Sequence, residues 1–516
     1  MPARGVPSSS PLVCELEPAP DPLVVCELWS ARPDTFLLDS GGGGFGRIGR
    51  YSFAGTDPFL VFRSKAERIE IIQGGIATRT SSGDPFSCLE SLLADYRLEV
   101  PGGLPPFAGG AVGYFGYDLS RFVERLPEKA VDDVGIPDCW LGLYDVVLAF
   151  DHASGKAWLM SSGFPERDLR DRERRARARM EGVLGELAVL KAKAGRERRG
   201  RGFSGGGDVS GLAVRAGAAS RRDARGPADC CSGTVSSNFT RDSYCRAVDR
   251  AKEYIAAGDI FQVNLSQRFV APLGRLGQFQ LYRRLRSITP APFGAYLNPR
   301  GFSIACASPE RFLRVNGRYV ETRPIKGTRP RGSTRACDEV LRRQLLGSPK
   351  DWAEHVMIVD LERNDLGRSC TYGSVSVPEF VVCESHPTVF HLVSTVCGEL
   401  CKEASPVQCL RRSFPGGSIT GAPKVRAMEI IDELEPVKRG IYTGALGYLG
   451  FNGQMDLNIV IRSFLLYQGL AYFHAGGGIV ADSVAEAEFE ETIDKARALF
   501  AALGIALPRA GSVARE

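Results

Sequence analysis

Strand-like and helix-like segments follow one another irregularly along the second half of the chain, and this irregular order restricts the fold most. Residues 241–257 have a helical apolar period and are followed by Gly258, a common helix-ending residue. The next apolar segment, IFQVNLSQRFV, has the composition of a strand. A doubly wound parallel sheet would need strands and helices in regular alternation. The pattern therefore predicts an α+β fold.

Further elements of this half are predicted from period and turn residues. The helical period predicts helices over 350–365, 422–434 and 486–503. Strands are predicted for FSIACA, RYVETRPI, GALGYLGF, MDLNIVIRSFLLY and LAYFHAGGG. Asn316-Gly317, between FSIACA and RYVETRPI, indicates a hairpin turn, and two more turns are indicated at Asn452-Gly453 and Gln468-Gly469.

Composition divides the chain into three regions. Residues 12–163 carry short alternating runs punctuated by Gly and Pro, so a mostly β region is expected there. Residues 164–236 begin with an Arg-rich helical run and continue as a Gly, Ser and Arg-rich linker, which we expect to be flexible. Residues 237–503 form the third region. Because the Arg-rich run has no interleaved aromatic residues to stack on bases, nucleic acid is not an expected partner.

The overall composition narrows the class of protein. A hydrophobic content of 44% and a charged content of 24% are typical of a globular protein with a sizeable core. The first ten residues are polar, and no apolar run approaches the roughly 18 residues that a membrane helix needs. We therefore expect a cytoplasmic protein with no membrane partner. The 14 cysteines favour reduced core thiols, since a zinc site at Cys397 and Cys401 would need a second ligand pair.

One glycine pattern imitates a dinucleotide-binding motif. Gly44, Gly46 and Gly49 have the spacing of the phosphate-binding fingerprint, after which a helix should begin. The strand-like RYSFAG follows instead. We therefore predict a plain turn at these glycines.

Two pairs of carboxylates are spaced to share helix faces. Asp351 and Glu354 lie three apart on one predicted helix, and Glu488 and Glu491 repeat that spacing on the last one. Two facing helices of this kind would make an oxygen-rich site, which Mg²⁺ prefers. Taken alone, each pair more often marks a solvated helix face.

Three glycines and one arginine have the chemistry of an anion site. Gly476, Gly477 and Gly478 follow a predicted strand, where backbone N–H groups can approach an anion; a tight turn is the alternative. Arg462 lies within the apolar segment IVIRSF, where a buried guanidinium needs an acidic or anionic partner.

Lys326 is a candidate nucleophile within Pro-Ile-Lys-Gly-Thr. Arg329 and Arg331 follow it, and nearby positive charge helps a half-buried lysine to lose its proton. The alternative is an ordinary solvated lysine in a loop.

Six motifs resemble those of the chorismate-utilising enzymes and occur in that family's order. They are SPERF (308–312), PIKGTRPRG (324–332), EHVMIVDLERNDLGR (354–368), GAPKVRAMEIIDELEP (421–436), IYTGALGY (441–448) and AGGGIVADS (475–483). A weaker resemblance, to the N-terminal region of anthranilate synthase component I, covers 12–150 and includes FLLDS at 36–40. The resemblance implies two β-sheets packed between surrounding helices, with the active site in the cleft of a chorismate-binding catalytic region.

The same resemblance implies roles for the matching residues. Mg²⁺ would be bound by Glu354 and Glu491, with Asp351, where Glu is more usual, and Glu488 beside them. Glu310 resembles the general acid that protonates the departing C4 hydroxyl, and His391 resembles the active-site histidine. Chorismate would contact Gly327, Thr328, Ser418, Tyr442, Arg462, Gly476, Gly477 and Gly478. An amino-acid effector site of relatives has its counterparts at Ser40, Pro292, Phe293 and Gly294.

Two positions favour one branch of the family. Isochorismate and salicylate synthases resemble this chain but carry a lysine base where it has Gln262, and anthranilate synthases carry Ala at the position of Lys326. Aminodeoxychorismate synthases carry Lys there, and the resemblance implies amination of chorismate at C4 through a covalent lysine intermediate, for 4-aminobenzoate and folate synthesis. Anthranilate synthase activity is the alternative. The alternative of another class is a catalytically silent, chorismate-binding regulatory protein.

Ammonia for this reaction is expected from a second protein. The sequence has no Gly-x-Cys-x-Gly element, the nucleophile motif of a glutaminase. The resemblance therefore implies a heterodimer with a separate glutamine amidotransferase subunit.

Overall fold

Short alternating apolar segments form 24 strands in the part of the chain that the computed structural model describes, which is residues 10–42, 44–200, 235–386 and 389–507. In chain order they are β1 Leu12–Glu15, β2 Thr35–Asp39, β3 Tyr51–Gly55, β4 Leu60–Lys65, β5 Arg68–Gln73, β6 Ile76–Ser82, β7 Gly110–Phe115, β8 Cys139–Tyr144, β9 Val146–Asp151, β10 Lys156–Ser161, β11 Ser236–Ser237, β12 Gln262–Pro272, β13 Phe293–Asn298, β14 Phe302–Ser308, β15 Arg311–Asn316, β16 Tyr319–Arg323, β17 Ile325–Pro330, β18 Ser376–Ser385, β19 Val389–Glu399, β20 Gly421–Ala422, β21 Ala445–Gly450, β22 Met455–Ile459, β23 Ser463–Tyr467 and β24 Leu470–Ile479.

Ten α-helices lie among these strands within the same described ranges. They are α1 Pro22–Trp29, α2 Pro85–Ala94, α3 Leu169–Gly200, α4 Arg241–Ala256, α5 Gln278–Ile288, α6 Arg335–Leu346, α7 Pro349–Gly367, α8 Pro406–Ser413, α9 Lys424–Leu434 and α10 Ala485–Leu503. Within these ranges, no helix combines the length and the apolar character needed to cross a membrane.

The strands form two antiparallel sheets of twelve strands each. The first has the order β1-β10-β9-β3-β2-β13-β14-β23-β24-β12-β11, with β20 also paired to β12. The second has the order β17-β19-β16-β15-β22-β21-β7-β8-β4-β5-β6, with β18 also paired to β19. Each sheet joins five strands of the N-terminal half, before residue 201, to seven of the C-terminal half, after residue 234, and the halves meet at β2–β13 and at β7–β21.

Helices cover the sheets because their apolar faces match. In α10 the buried side chains recur at helical spacing, as at Phe489, Ile493, Ala496 and Phe500, and the helix packs on β24, α4 and α5. On the second sheet, α7 packs on β19 and β17 and α6 packs on β17. The predicted α+β fold with two sheets between helices is confirmed.

Several predicted elements differ from the structure in an informative way. The Asn316-Gly317 turn joins β15 to β16, so the predicted pairing of RYVETRPI with FSIACA is wrong; FSIACA is β14, in the other sheet. Gly476 to Gly478 lie within β24, so a tight turn there is also wrong. The glycines at 44, 46 and 49 form a turn and a 3₁₀ helix before β3, as predicted.

The Arg-rich region is described in part. Its helical run forms α3, which packs on β10, β1 and β9. The linker over 201–234, with Cys230 and Cys231, lies outside the described residues. The cysteines of the described ranges are all free thiols.

Candidate active site

Two links between the sheets carry Glu310 and Arg462. Pro309 and Glu310 connect β14 in the first sheet to β15 in the second, and residues 460–462 connect β22 in the second to β23 in the first. The Ile459 N–H donates to the Glu310 carbonyl at 3.1 Å, and the Ala307 N–H donates to the Arg462 carbonyl at 3.1 Å. The two links therefore run side by side in the cleft.

The prediction that Arg462 lies inside one long strand is wrong. Residues 455–467 form two strands in different sheets, and Arg462 has a φ of 51° in the link. A left-handed backbone at a residue other than glycine costs roughly 1–3 kcal/mol and persists only where the surroundings impose it. Burial lowers the pKa of the Arg462 guanidinium, and the nearby Glu310 carboxylate opposes that shift.

An irregularity in β17 directs Lys326 off the sheet. The register with β19 shifts between Ile325 and Thr328, and Gly327 between them has a φ of 82°. Such a bulge redirects side chains and often lies beside an active site. A Cβ on Gly327 would lie 3.2 Å from the Asp351 Cβ, so α7 passes close to this bulge.

A cavity of about 1730 Å³, including its part open to solvent, lies where the two links, the bulge and two helices meet. It brings together most of the site residues that the sequence predicted. These are Glu310, Lys326, Gly327, Thr328, Asp351, Glu354, His391, Ser418, Tyr442, Arg462, Gly476, Gly478 and Glu491. Gly477 and Glu488 lie beside the cavity, and a Cβ on Gly477 would be 3.1 Å from a Glu488 carboxylate oxygen.

Lys326 and Glu310 have shifted pKa values within this cavity. Burial lowers the pKa of the Lys326 amine; the Glu354 carboxylate opposes this shift, and Lys495 is the cationic neighbour that adds to it. Arg329 and Arg331 were predicted to do so, but they are paired with Asp351 and Asp338. Burial raises the pKa of the Glu310 carboxyl, against a hydrogen bond from Ser418 and the charges of Lys326 and Arg462. A neutral amine and a protonated acid are thereby both favoured.

His391 and Tyr442 keep their neutral forms. Burial, with the Arg462 charge, lowers the pKa of His391 to about 3, and its Nδ1 lies 2.9 Å from the Thr328 Oγ1. Burial raises the pKa of Tyr442 to about 12, so its hydroxyl can donate a hydrogen bond. The Tyr442 ring stacks on His474 at a centroid distance of 4.8 Å.

Helices α7 and α10 bring their carboxylates to the same side of the cavity. Burial raises the pKa values of Glu354 and Glu488, and the Glu491 charge contributes to both shifts. Mutual repulsion of this kind fits a divalent cation, and Mg²⁺ commonly takes only one or two carboxylates plus water and substrate oxygens. Among the described residues, no three acidic, histidine or cysteine side chains form a metal cluster by themselves.

The glycine segment of β24 has one edge paired and one edge towards the cavity. Gly476 and Gly478 pair with Ser266 and Asn264 of β12, while the pairing with β23 ends at Tyr472. A Cβ on Gly476 would lie 2.5 Å from the Leu265 carbonyl oxygen, so a larger residue does not fit there. This segment can therefore present backbone N–H groups to an anion.

Several residues that line the cavity had no role assigned from the sequence, and five of them have nitrogen-bearing polar side chains. They are Asn264, Lys350, Arg439, His474 and Lys495. For two of them the sequence did contain a signal. Lys495 lies four residues after Glu491 and Arg439 four residues after Glu435, which is the spacing of an ion pair on one helix face.

Arg439 is held by a buried ion pair with Glu435. The two form hydrogen bonds of 2.7 and 2.9 Å, and Glu435 also accepts from the N–H and hydroxyl of Ser266. Arg439 in turn donates to the carbonyls of Asn264 and Ile419. The pair thus connects α9, β12 and the cavity wall.

Replacing Glu435 by alanine should lower the free energy of unfolding by about 3–5 kcal/mol, because Arg439 would be left buried without a counter-ion. Urea unfolding of Glu435→Ala measures this loss. Asp360→Ala is the control, since its pair with Arg363 is exposed and worth at most about 1 kcal/mol. A loss below that of the control would contradict the expectation.

The four effector-site residues lie at the β2–β13 junction. Gly294 pairs with Asp39, the neighbour of Ser40. The Ser40 hydroxyl lies 3.2 Å from that of Ser52, and the Phe293 carbonyl accepts from Asn458 at 2.8 Å. Pro292 is buried beside them. Ser40, Pro292, Phe293 and Gly294 are not among the residues that line the cavity.

The links and helices together direct charged groups of both signs into one cavity, which is the arrangement of an enzyme that acts on a small anionic substrate. The model of the family described as chorismate binding enzyme matches residues 34–501, and the chain belongs to this family of chorismate-utilising enzymes.

Curated relatives and a solved structure agree with this. Anthranilate synthase component 1 of Acetivibrio thermocellus is 41% identical over 91% of this chain and 90% of its own length. Aminodeoxychorismate synthase component 1 of Bacillus subtilis is 38% identical over 92% of this chain and 93% of its own length. The crystal structure of anthranilate synthase component I from Streptococcus pneumoniae superposes with a TM-score of 0.70 at 31% identity, covering 87% of this chain and 91% of that one.

Proposed function

We propose that the chain aminates chorismate at C4, as an aminodeoxychorismate synthase component 1 that acts in the cytoplasm. The observation that carries this proposal is Lys326, which the bulge in β17 places in the cavity with a lowered pKa and in the field of Glu310. A neutral amine in that place can act as a nucleophile.

In the proposed reaction the Lys326 amine forms a bond to ring C2, the diene electrons shift towards C4, and the C4–O bond breaks. Glu310 donates a proton to the departing hydroxyl, which leaves as water. Ammonia then forms a bond to C4, the electrons shift back, and the bond between C2 and Lys326 breaks. The two stages replace one difficult displacement.

The remaining cavity residues would hold the substrate. Arg462, the Tyr442 hydroxyl and the amides of Gly476 and Gly478 suit the enolpyruvyl carboxylate, because they are donors at the links and the glycine segment. Glu354 and Glu491 would bind Mg²⁺, with Asp351 and Glu488 beside them. Bound Mg²⁺ would supply positive charge for the ring carboxylate. Neutral His391 would orient Thr328 at the edge of the cavity.

Anthranilate synthase activity is the second candidate. It is favoured by the name of the Acetivibrio thermocellus relative, whose identity to this chain is similar to that of the Bacillus subtilis relative. One assay separates the two. Purified protein with chorismate, Mg²⁺ and ammonium should give aminodeoxychorismate by chromatography; anthranilate as the main product would transfer the proposal to the second candidate.

The purified chain should use ammonium at raised pH, where more of it is NH₃, but not glutamine. The reason is that no glutaminase nucleophile motif is present in the sequence, so a separate glutamine amidotransferase would supply ammonia. The measurement compares initial rates with each nitrogen source. Efficient turnover with glutamine by rigorously pure protein would refute this expectation.

A further inference from the structure

Two lysines lie against the carboxylates at which we place the metal. Lys495 Nζ, on α10, is 2.7 Å from Glu491 Oε1 and donates to the Gly476 carbonyl at 2.8 Å. Lys350 Nζ, on α7, is 4.0 Å from Glu354 Oε1. Both lysines line the cavity. On each of the two helices, one carboxylate thus has a lysine of the same helix beside it.

The other two carboxylates of this group also have partners. Arg329 Nη2 lies 2.9 Å from Asp351 Oδ2, and the Ser483 hydroxyl donates to Glu488 Oε1 at 2.6 Å. Four carboxylates on two helices that border the same cavity would repel one another without such groups. The cations therefore let α7 and α10 approach the same cavity in the absence of metal.

The lysines differ from Arg329 in how readily they can leave. The side chains of Lys350 and Lys495 are 60% and 48% exposed, against 33% for Arg329. A lysine ammonium on a flexible stem can turn into water, whereas an arginine fork is held in one geometry. Displacement of Lys495 would expose the Glu491 carboxylate and free the Gly476 carbonyl.

We propose that Lys350 and Lys495 are displaceable counter-ions, which occupy the carboxylates of α7 and α10 in the metal-free enzyme and are released when a divalent cation binds. The inference rests on the magnesium site of the proposed function. Its consequence is that the two lysines compete with the metal, so the free enzyme binds metal more weakly than its carboxylates alone would.

The test is the binding of Mn²⁺ to metal-free full-length protein without chorismate, followed by titration calorimetry. Lys495→Met should bind Mn²⁺ about fivefold or more tightly than the wild type, because a competing charge is removed. In EDTA the same variant should unfold at a lower temperature than the wild type, since Glu491 loses its partner. A merely structural lysine would lower stability without tightening metal binding.

Arg497→Met is the matched control. It removes one positive charge from the same helix, and its ion pair with Asp494 lies outside the cavity. This control should leave Mn²⁺ affinity within twofold of the wild type. Lys350→Met serves as a second variant, with a smaller change in the same direction because its carboxylate is farther away.

The outcomes separate this inference from the metal site itself. Wild-type binding that Glu491→Gln weakens would support the metal site, and unchanged or weaker binding by Lys495→Met would then overturn the inference alone. Absence of Mn²⁺ binding by the wild type and by Lys495→Met would overturn both. Tighter binding by Lys495→Met but not by Arg497→Met would establish the competition.

Discussion

Lys326→Arg is expected to reduce amination of chorismate by roughly 1,000-fold or more, since removal of a covalent nucleophile has effects of this order or larger. Arginine keeps the positive charge but does not lose its proton near neutral pH, so it cannot attack ring C2. Burial already lowers the pKa of Lys326 in the native cavity. The measurement is the initial rate of product formation with saturating ammonium and Mg²⁺.

A trapping experiment gives an independent readout of the same role. Wild-type protein with chorismate and Mg²⁺ but without ammonia should gain the mass of chorismate minus water on the peptide that contains Lys326. Lys326→Arg should not gain it. Near-normal amination by Lys326→Arg would make direct attack of ammonia on the ring, without a lysine adduct, the better mechanism.

Glu354→Gln and Glu491→Gln should each reduce turnover on the order of 100-fold at limiting Mg²⁺, because each removes a charged oxygen from a site with few protein ligands. The side chains are 20% and 47% exposed, so the fold should survive. Circular dichroism and a Mg²⁺ titration of the rate check both parts.

Glu490→Gln is the matched control for this pair. It changes the neighbouring residue of the same helix, whose carboxylate pairs with Arg241 at 2.9 Å, away from the cavity. It should retain most of the activity. Full activity of Glu354→Gln or Glu491→Gln at limiting Mg²⁺ would exclude the proposed metal ligands.

Local sequence predicted α4, α7, α9 and α10 well because their signals are local, whereas α1, α2, α5, α6 and α8 were not predicted. The predicted helix over 350–365 is α7, Pro349–Gly367, where Ser348 caps the first turn and Pro349 occupies its first position. The last helix was likewise predicted to within a residue at each end. That α7 and α10 face one cavity depends on sheets assembled from the whole chain, and no spacing in the sequence encodes it.

The two links between the sheets could not be predicted from local sequence, because they too depend on long-range strand pairing. The apolar run MDLNIVIRSFLLY is compatible with one strand. In the structure its first part, β22, pairs with β15 and β21, and its last part, β23, pairs with β14 and β24 of the other sheet. Only these pairings divide the run at the link that contains Arg462. The Asn316-Gly317 turn was correct because turn residues act locally. Its predicted partner strand was wrong because sheet membership is a long-range property.

The contacts that suggest a counter-ion role for Lys350 and Lys495 could not be predicted from the sequence either. A lysine on a predicted helix is usually solvated, and nothing in the spacing of Lys495 reveals the Gly476 carbonyl that it contacts. The family resemblance named the carboxylates, and the structure then showed what lies against them.

The division of each sheet into five early and seven late strands has a consequence for synthesis. Gly113 of β7 pairs with Gly447 of β21, about 330 residues later. Likewise, one edge of β2 has no partner until β13 has been synthesised. On the ribosome the first half therefore ends in two unpaired strand edges, which are sites for wrong association. Because the two halves meet at these two strand pairs, fragments separated between residues 201 and 234 and produced together should associate by strand pairing.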